Sequence, residues 1–157
     1  MTRIKLDPPK WIDLQIELAI RVTDLNYGAH LGNMELLGLL HEARVQYLAH
    51  YGNTELGDAQ TPGIILNDVA ITFHSEGFLG EKLSIAMTAA EPWRAGYVLY
   101  YVVHAVKDNA PPRLVAVART GITFFDYTSR KLQNMPKAWA DRLNIDRTEE
   151  HEKISQQ

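Results

Sequence analysis

Asp24-Leu25-Asn26-Tyr27-Gly28-Ala29-His30-Leu31-Gly32-Asn33 runs without a break into Met34-Glu35-Leu36-Leu37-Gly38-Leu39-Leu40-His41-Glu42-Ala43-Arg44, and a change of period across this stretch decides the fold. Before it, Leu14, Ile16, Leu18, Ile20 and Val22 alternate with Gln15, Glu17, Ala19 and Arg21. That period of two marks a half-buried strand, which Thr23-Asp24 ends. After it, Leu36, Leu37, Leu40, Ala43, Tyr47 and Tyr51 recur at helical spacing and predict one apolar stripe. Asn33 is the expected N-cap, Glu35 favours the positive helix end, and Gly52-Asn53 is the stop. Between strand and helix lies a polar, glycine-bearing turn. Its side chains sit where a helix N-terminus offers free backbone N–H groups, a setting for an oxyanion or a polarised carbonyl.

Downstream, Gly57 to Gly63 reads as loop and strands follow in succession. Ile65, Val69, Ile71 and Phe73 alternate with Leu66, Asp68, Ala70 and Thr72. Gly77 to Gly80 is a turn, and Leu83, Ile85, Met87 and Ala89 then alternate with Lys82, Ser84, Ala86 and Thr88. Tyr97 to Val106 is apolar on both faces, as in a central strand covered twice, and Leu114 to Phe125 is the last strand. A short helix is expected over Lys137 to Leu143, after Pro136, and a flexible polar tail over 147–157. Four strands joined by short turns must be antiparallel, and one long helix with one stripe must lie across their sheet. The doubly apolar strand points to a surface or edge covered by a second subunit, hence a homodimer.

The 157 residues suit one domain, with 46% hydrophobic and 22% charged residues and a formal net charge of −3. That balance gives no electrostatic reason to expect nucleic acid or an anionic membrane as partner. Cysteine is absent, so disulfides, thiolate catalysis and Cys-based zinc sites are excluded. The N-terminus has no apolar signal core, no run approaches a membrane span, and a cytoplasmic location is expected. No His-x-x-x-His or His-Glu-x-x-His occurs, so no metal is expected.

Strand, helix and four strands in this order resemble the hotdog fold, a curved antiparallel sheet of about five strands wrapped around one long central helix. Hotdog thioesterases of the 4-hydroxybenzoyl-CoA type carry a pattern like Asp-x-Asp-x-x-Gly-His-x-Asn-Asn, then a helix often containing Glu-Ala-Arg. Asp24, His30 and Asn33 match without a gap, and Glu42-Ala43-Arg44 follows. The resemblance spans about 14–136 and makes 1–157 a single α+β domain. It implies hydrolysis of an acyl-CoA or acyl-carrier thioester without cofactor, in a homodimer or homotetramer. Three positions depart from the pattern. Its second Asp, the usual catalytic carboxylate, is Asn26, which cannot take a proton at neutral pH. Its Gly before His is Ala29, and its first Asn after His is Gly32.

The candidate catalytic residues are therefore Asn26, His30, Asp24 and Glu42. Asn26 either holds the attacking water or the carbonyl, or merely forms the turn. Asp24 either supplies the missing carboxylate or caps the turn. His30 is an acid–base group or a brace. Glu42 falls nearly opposite the apolar stripe and faces either a partner's pocket or solvent. Gly32, Asn33 and Tyr27 are assigned to substrate binding, with the Asn33 backbone N–H aimed at a carbonyl. Arg44, at the edge of the stripe, is expected to pair with a buried acid, and Met87, Phe73, Phe124 and Tyr100 line an acyl tunnel or pack the core. Two other functions remain compatible with these residues. One is hydration of an enoyl-CoA by Asp24 and His30; the other is binding of acyl-CoA without turnover.

Overall fold

The computed structural model describes residues 2–143. In chain order these form β1 (Leu14–Ala19), a 3-10 turn (Val22–Asp24), α1 (Asn33–His50), β2 (Gly63–Phe73), β3 (Lys82–Trp93), β4 (Gly96–Val106), β5 (Arg113–Asp126) and a short β6 (Lys131–Leu132). All strand pairs are antiparallel, in the order β1-β3-β4-β5-β2, with β6 added to β5. The expected helical segment forms over 137–143, and the tail at 147–157 lies outside the described residues. No helix among the described residues is long and apolar enough to cross a membrane.

The alternation read from the strands becomes one face of the sheet. Leu83 opposes Ala105, Ile85 opposes Val103, Met87 opposes Tyr101 and Ala89 opposes Leu99 across β3 and β4. These inward side chains are buried against the stripe of α1, built from Leu36, Leu39, Leu40, Ala43, Tyr47 and Leu48. Each buried Leu, Ile, Val or Met here is worth about 1.5–3 kcal/mol, which is what holds one helix on the six-strand sheet. The stripe is rotated slightly from its expected place: Leu37 is exposed and Leu39 is buried. Two leucines three apart, 36 and 39, share a face with Leu40, whereas Leu37 lies a step round the wheel. Arg44 is buried within this face, its Nε 2.7 Å from Glu55 Oε1, and Glu55 also meets His41 Nε2 at 2.8 Å. Burial works to raise the Glu55 pKa, but the bonds from His41 and Arg44 prevail and hold it below the usual value.

One expectation is corrected. The N-cap is Gly32, in extended conformation, and Asn33 is the first helical residue, with no side-chain cap. Part of the outer face of β4 is covered by the chain itself: Trp11 packs on Ala90, Val98 and Tyr100, and its carbonyl accepts the Thr88 hydroxyl at 2.6 Å. Val102 and His104, further along the same face, are only half-buried. At the far end of α1 the residue before β1 meets the last described helix. Arg142 Nη2 reaches Asp13 Oδ2 at 3.1 Å and the Tyr47 hydroxyl at 2.6 Å, while its guanidinium lies 3.4 Å from the Tyr51 ring centroid.

Candidate active site

The turn before α1 is pinched shut by its own backbone. Asn26 N–H donates to the His30 carbonyl at 2.9 Å, and Ala29 N–H donates back to the Asn26 carbonyl at 3.0 Å. The Asn26 side-chain Oδ1 accepts the Gly28 N–H at 2.8 Å, an Asx turn. Ala29 has φ 60, the left-handed conformation that a glycine would take without strain. Leu25 and Leu31 form a bridge at the neck, and Gly32 N–H donates to the Asp24 carbonyl at 3.0 Å.

Asp24 lies beneath this loop and is buried. Its Oδ2 accepts the Arg21 N–H at 2.8 Å and Nε at 3.0 Å, and its Oδ1 accepts Nη2 at 2.8 Å. The hydrogen bonds from the Arg21 side chain hold the Asp24 carboxyl below its usual pKa, so it is ionised and fully engaged. The connection from β2 to β3 packs on the other side. Leu31 N–H donates to the Gly77 carbonyl at 2.8 Å, and a Cβ on Gly77 would come within 2.9 Å of Ile20 Cδ1, so a larger residue there would have to displace that side chain.

Locking the turn leaves the first N–H groups of α1, on Asn33, Met34 and Glu35, without intrahelical acceptors. Beside them opens a cleft of about 260 Å³, walled by His30, Gly32, Asn33, Leu36, Phe73 and Glu76. His30 is half-buried; its Nδ1 lies 3.3 Å from the Leu31 carbonyl and 3.4 Å from Asn26 Nδ2, and its Nε2 lies 3.6 Å from Glu76 Oε1. Phe73 and His74 also border a larger groove of about 650 Å³, which runs to Arg3 and Lys5 on the N-terminal segment. Among the described residues, no group of three or more His, Asp or Glu side chains is gathered as metal ligands.

The structure thus brings Asn26, His30, Gly32 and Asn33 together at one helix end. Asp24 supports that end from below. Glu42 lies nine residues along α1, about 13 Å from Asn33 on the helix rise, exposed and hydrogen-bonded to Gln46 at 2.8 Å. Tyr27 projects fully into solvent at the tip of the turn. Of the tunnel candidates, Phe73 walls the cleft, whereas Met87 and Phe124 are core and Tyr100 lies on the outer face. Sequence reasoning missed Glu76, which comes from a loop more than forty residues away, because nothing local to it announces the contact.

A family model described as the thioesterase-like superfamily matches residues 20–143. No curated protein matches. Among solved structures, a thioesterase superfamily protein from Jannaschia sp. CCS1 is similar at TM-score 0.72 and 16% identity, over 83% of this chain and 80% of that one. The 4-hydroxybenzoyl-CoA thioesterase from Pseudomonas sp. strain CBS-3 is similar at TM-score 0.70 and 15% identity, over 82% and 96%. A 1,4-dihydroxy-2-naphthoyl-CoA thioesterase from Synechocystis gives TM-score 0.66 and 18% identity, over 80% and 91%. At such identities the likeness establishes the fold, which is the hotdog fold the sequence resembled. With the match over 20–143, it makes this chain a member of the thioesterase-like superfamily.

Proposed function

We propose that the protein hydrolyses an acyl-CoA or acyl-carrier thioester to a free acid and a thiol. One observation carries this reading: the unsatisfied N–H groups at the start of α1 open onto a cleft that also holds His30, with Asn26 bonded into the same turn. A carbonyl oxygen placed against the Asn33 N–H gains both a hydrogen bond and the helix dipole as negative charge develops on it. Leu36, Phe73 and Val115 give the acyl group an apolar wall. The carrier arm follows the groove past His74 toward Arg3 and Lys5. Asn26 and His30 hold the attacking water. Asp24, committed to Arg21, serves as the brace of the turn, and among the expected residues His30 alone is placed to take the water's proton.

We further infer a homodimer joined along β2. That strand is an open edge of the sheet, and Leu66, Val69 and Phe73 are exposed on it. A long edge of this kind presents unpaired backbone groups that a second copy satisfies. Tyr27 and Met34, exposed at the tip of the turn and the start of α1, then stand ready to touch a partner or the substrate. Glu42 serves this site only if it belongs to the partner.

The test is thiol release from a panel of short, long and aromatic acyl-CoA thioesters by the purified chain. Turnover of at least one, with no loss of crotonyl-CoA absorbance, supports thioester hydrolysis over hydration. Binding without release would establish an acyl-CoA-binding protein instead.

A further inference from the structure

The two ring nitrogens of His30 face different neighbours, and which of them carries the proton is set by what each one meets. At Nδ1 the neighbour is an amide of fixed orientation. Asn26 Oδ1 is committed to the Gly28 N–H at 2.8 Å, so Asn26 Nδ2, a donor, is what points at Nδ1 from 3.4 Å. The Leu31 carbonyl stands 3.3 Å from the same nitrogen. At Nε2 the neighbour is a carboxylate, Glu76 Oε1 at 3.6 Å. A lone pair on Nε2 would be repelled by that charge, whereas an N–H there is attracted to it. Both neighbours therefore favour the same arrangement, with the proton on Nε2 and the lone pair on Nδ1.

The loop that carries Glu76 is pinned through its backbone and its flanking residues. The Ser75 hydroxyl donates to the Leu114 carbonyl at 2.6 Å, Arg113 Nη2 donates to the Glu76 carbonyl at 2.7 Å, and the Gly77 carbonyl accepts the Leu31 N–H at 2.8 Å. Arg113 is itself anchored on the buried Glu81, with Nη2 3.0 Å from Oε2. The Glu76 side chain takes no part in this. It is exposed, it borders the cleft, and among the described residues His30 is its one ion-pair or hydrogen-bond partner. An exposed carboxylate so placed adds little to the stability of the fold.

We propose that Glu76 is a positioning residue for the hydrolysis: it keeps the proton of the neutral His30 ring on Nε2 and so leaves Nδ1, beside Asn26, as the atom that takes a proton from water. This rests on the thioesterase reading and adds to it which nitrogen acts and what aims it. Water bonds to the thioester carbonyl carbon as its proton passes to Nδ1, and the carbonyl electron pair moves onto the oxygen beside the Asn33 N–H. The new Nδ1–H finds the Leu31 carbonyl, while Nε2–H faces Glu76, so the imidazolium has an acceptor at each nitrogen. The electron pair on oxygen then returns, the carbon–sulfur bond breaks with its electrons on sulfur, and the sulfur takes the proton from Nδ1. Free acid and thiol leave, and His30 again carries its one proton on Nε2. The 3.6 Å gap suits this role, since such contacts are commonly long in a free enzyme and tighten when substrate is bound.

The experiment uses the full chain and the acyl-CoA of the panel that it turns over fastest. Glu76→Ala removes the carboxylate and leaves the backbone bonds of the loop in place. Its kcat is expected to fall at least about tenfold, part of the roughly 10²–10⁴ that a placed acid–base group contributes. KM is expected to move less than about threefold, because ground-state binding is untouched. In a His30→Asn background the same substitution is expected to cost less than about twofold, because Glu76 acts through the ring. Nitrogen NMR of the histidine rings at about pH 8, above the usual histidine range, is expected to find the His30 proton on Nε2 in wild type and shared between the nitrogens in Glu76→Ala, the His30 signals being those lost in His30→Asn. A merely structural Glu76 would lower the melting temperature and cost as much in the His30→Asn background as in wild type. With wild type active, a Glu76→Ala kcat within about threefold of it, an equal loss in the His30→Asn background, or a wild-type proton on Nδ1 each overturns the assignment alone. Wild type inactive on every acyl-CoA overturns the thioesterase reading and the assignment together.

Discussion

Replacing Asp24 with Asn tests whether the turn is held from beneath. The carboxylate is buried at 3% exposure and accepts the Arg21 backbone N–H at 2.8 Å. The Arg21 side chain that also grips it is 67% exposed, so its Coulombic share is left out of the magnitude. What remains is one charge-assisted bond to a backbone donor at a buried acceptor, and an amide whose NH2 must face donors on one side. The cost is about 1–2 kcal/mol. For a domain of this size that lowers the melting temperature by about 3–6 °C. The pH dependence has a definite sign. Because the folded-state pKa of Asp24 is depressed, its contribution is fully present above the unfolded carboxylate value and is lost as pH falls through the folded value. Melting of wild type and Asp24→Asn, followed by circular dichroism, is therefore expected to differ at pH 7 and to converge as pH drops below about 4. A difference under about 1 °C at pH 7, or one that widens in acid, refutes the bracing role.

Ala29→Gly is expected to stabilise the protein by about 0.5–1 kcal/mol, because relief at φ 60 outweighs the added freedom of the unfolded chain, and chemical denaturation measures it. Asn26→Ala is expected to lower kcat about 100-fold while Asn26→Asp, which keeps an acceptor for the Gly28 N–H, leaves the melting temperature near wild type; comparing the two separates chemistry from turn formation. The proposed β2-edge dimer predicts that wild type sediments as a dimer and Val69→Lys, on that open edge, as a monomer, and a wild type that sediments as monomer defeats the edge-pairing model. 

β3 was legible because its period is clean and agrees with the final burial: Leu83, Ile85 and Met87 alternate inward as written. In β2 a register shift between Leu66 and Asp68 and the open sheet edge leave Val69 and Phe73 exposed despite their alternation. Position-level detail at boundaries was less so. Asn33 reads as a cap by type, yet Gly32 takes the role because its backbone can lie flush against Glu35 and pair with Asp24, a tertiary demand. Along β4, the sequence does not say that Trp11 folds back across Val98 and Tyr100 on the outer face. At the candidate site, the turn and its polar residues were visible as a string. Glu76 was invisible, since the β2–β3 loop meets the turn only through sheet topology.

The clasp of Arg142 on Asp13 joins residues 129 apart, and so spans nearly the whole described chain. A nascent polypeptide emerging from the ribosome can pair β3, β4 and β5 early, but the acid at position 13 has no cation until the segment near 142 is released. Closure of this clasp is thus deferred until the segment near 142 has been made, long after residue 13. Until then, the rings of Tyr47 and Tyr51 lack the guanidinium that covers them in the folded chain.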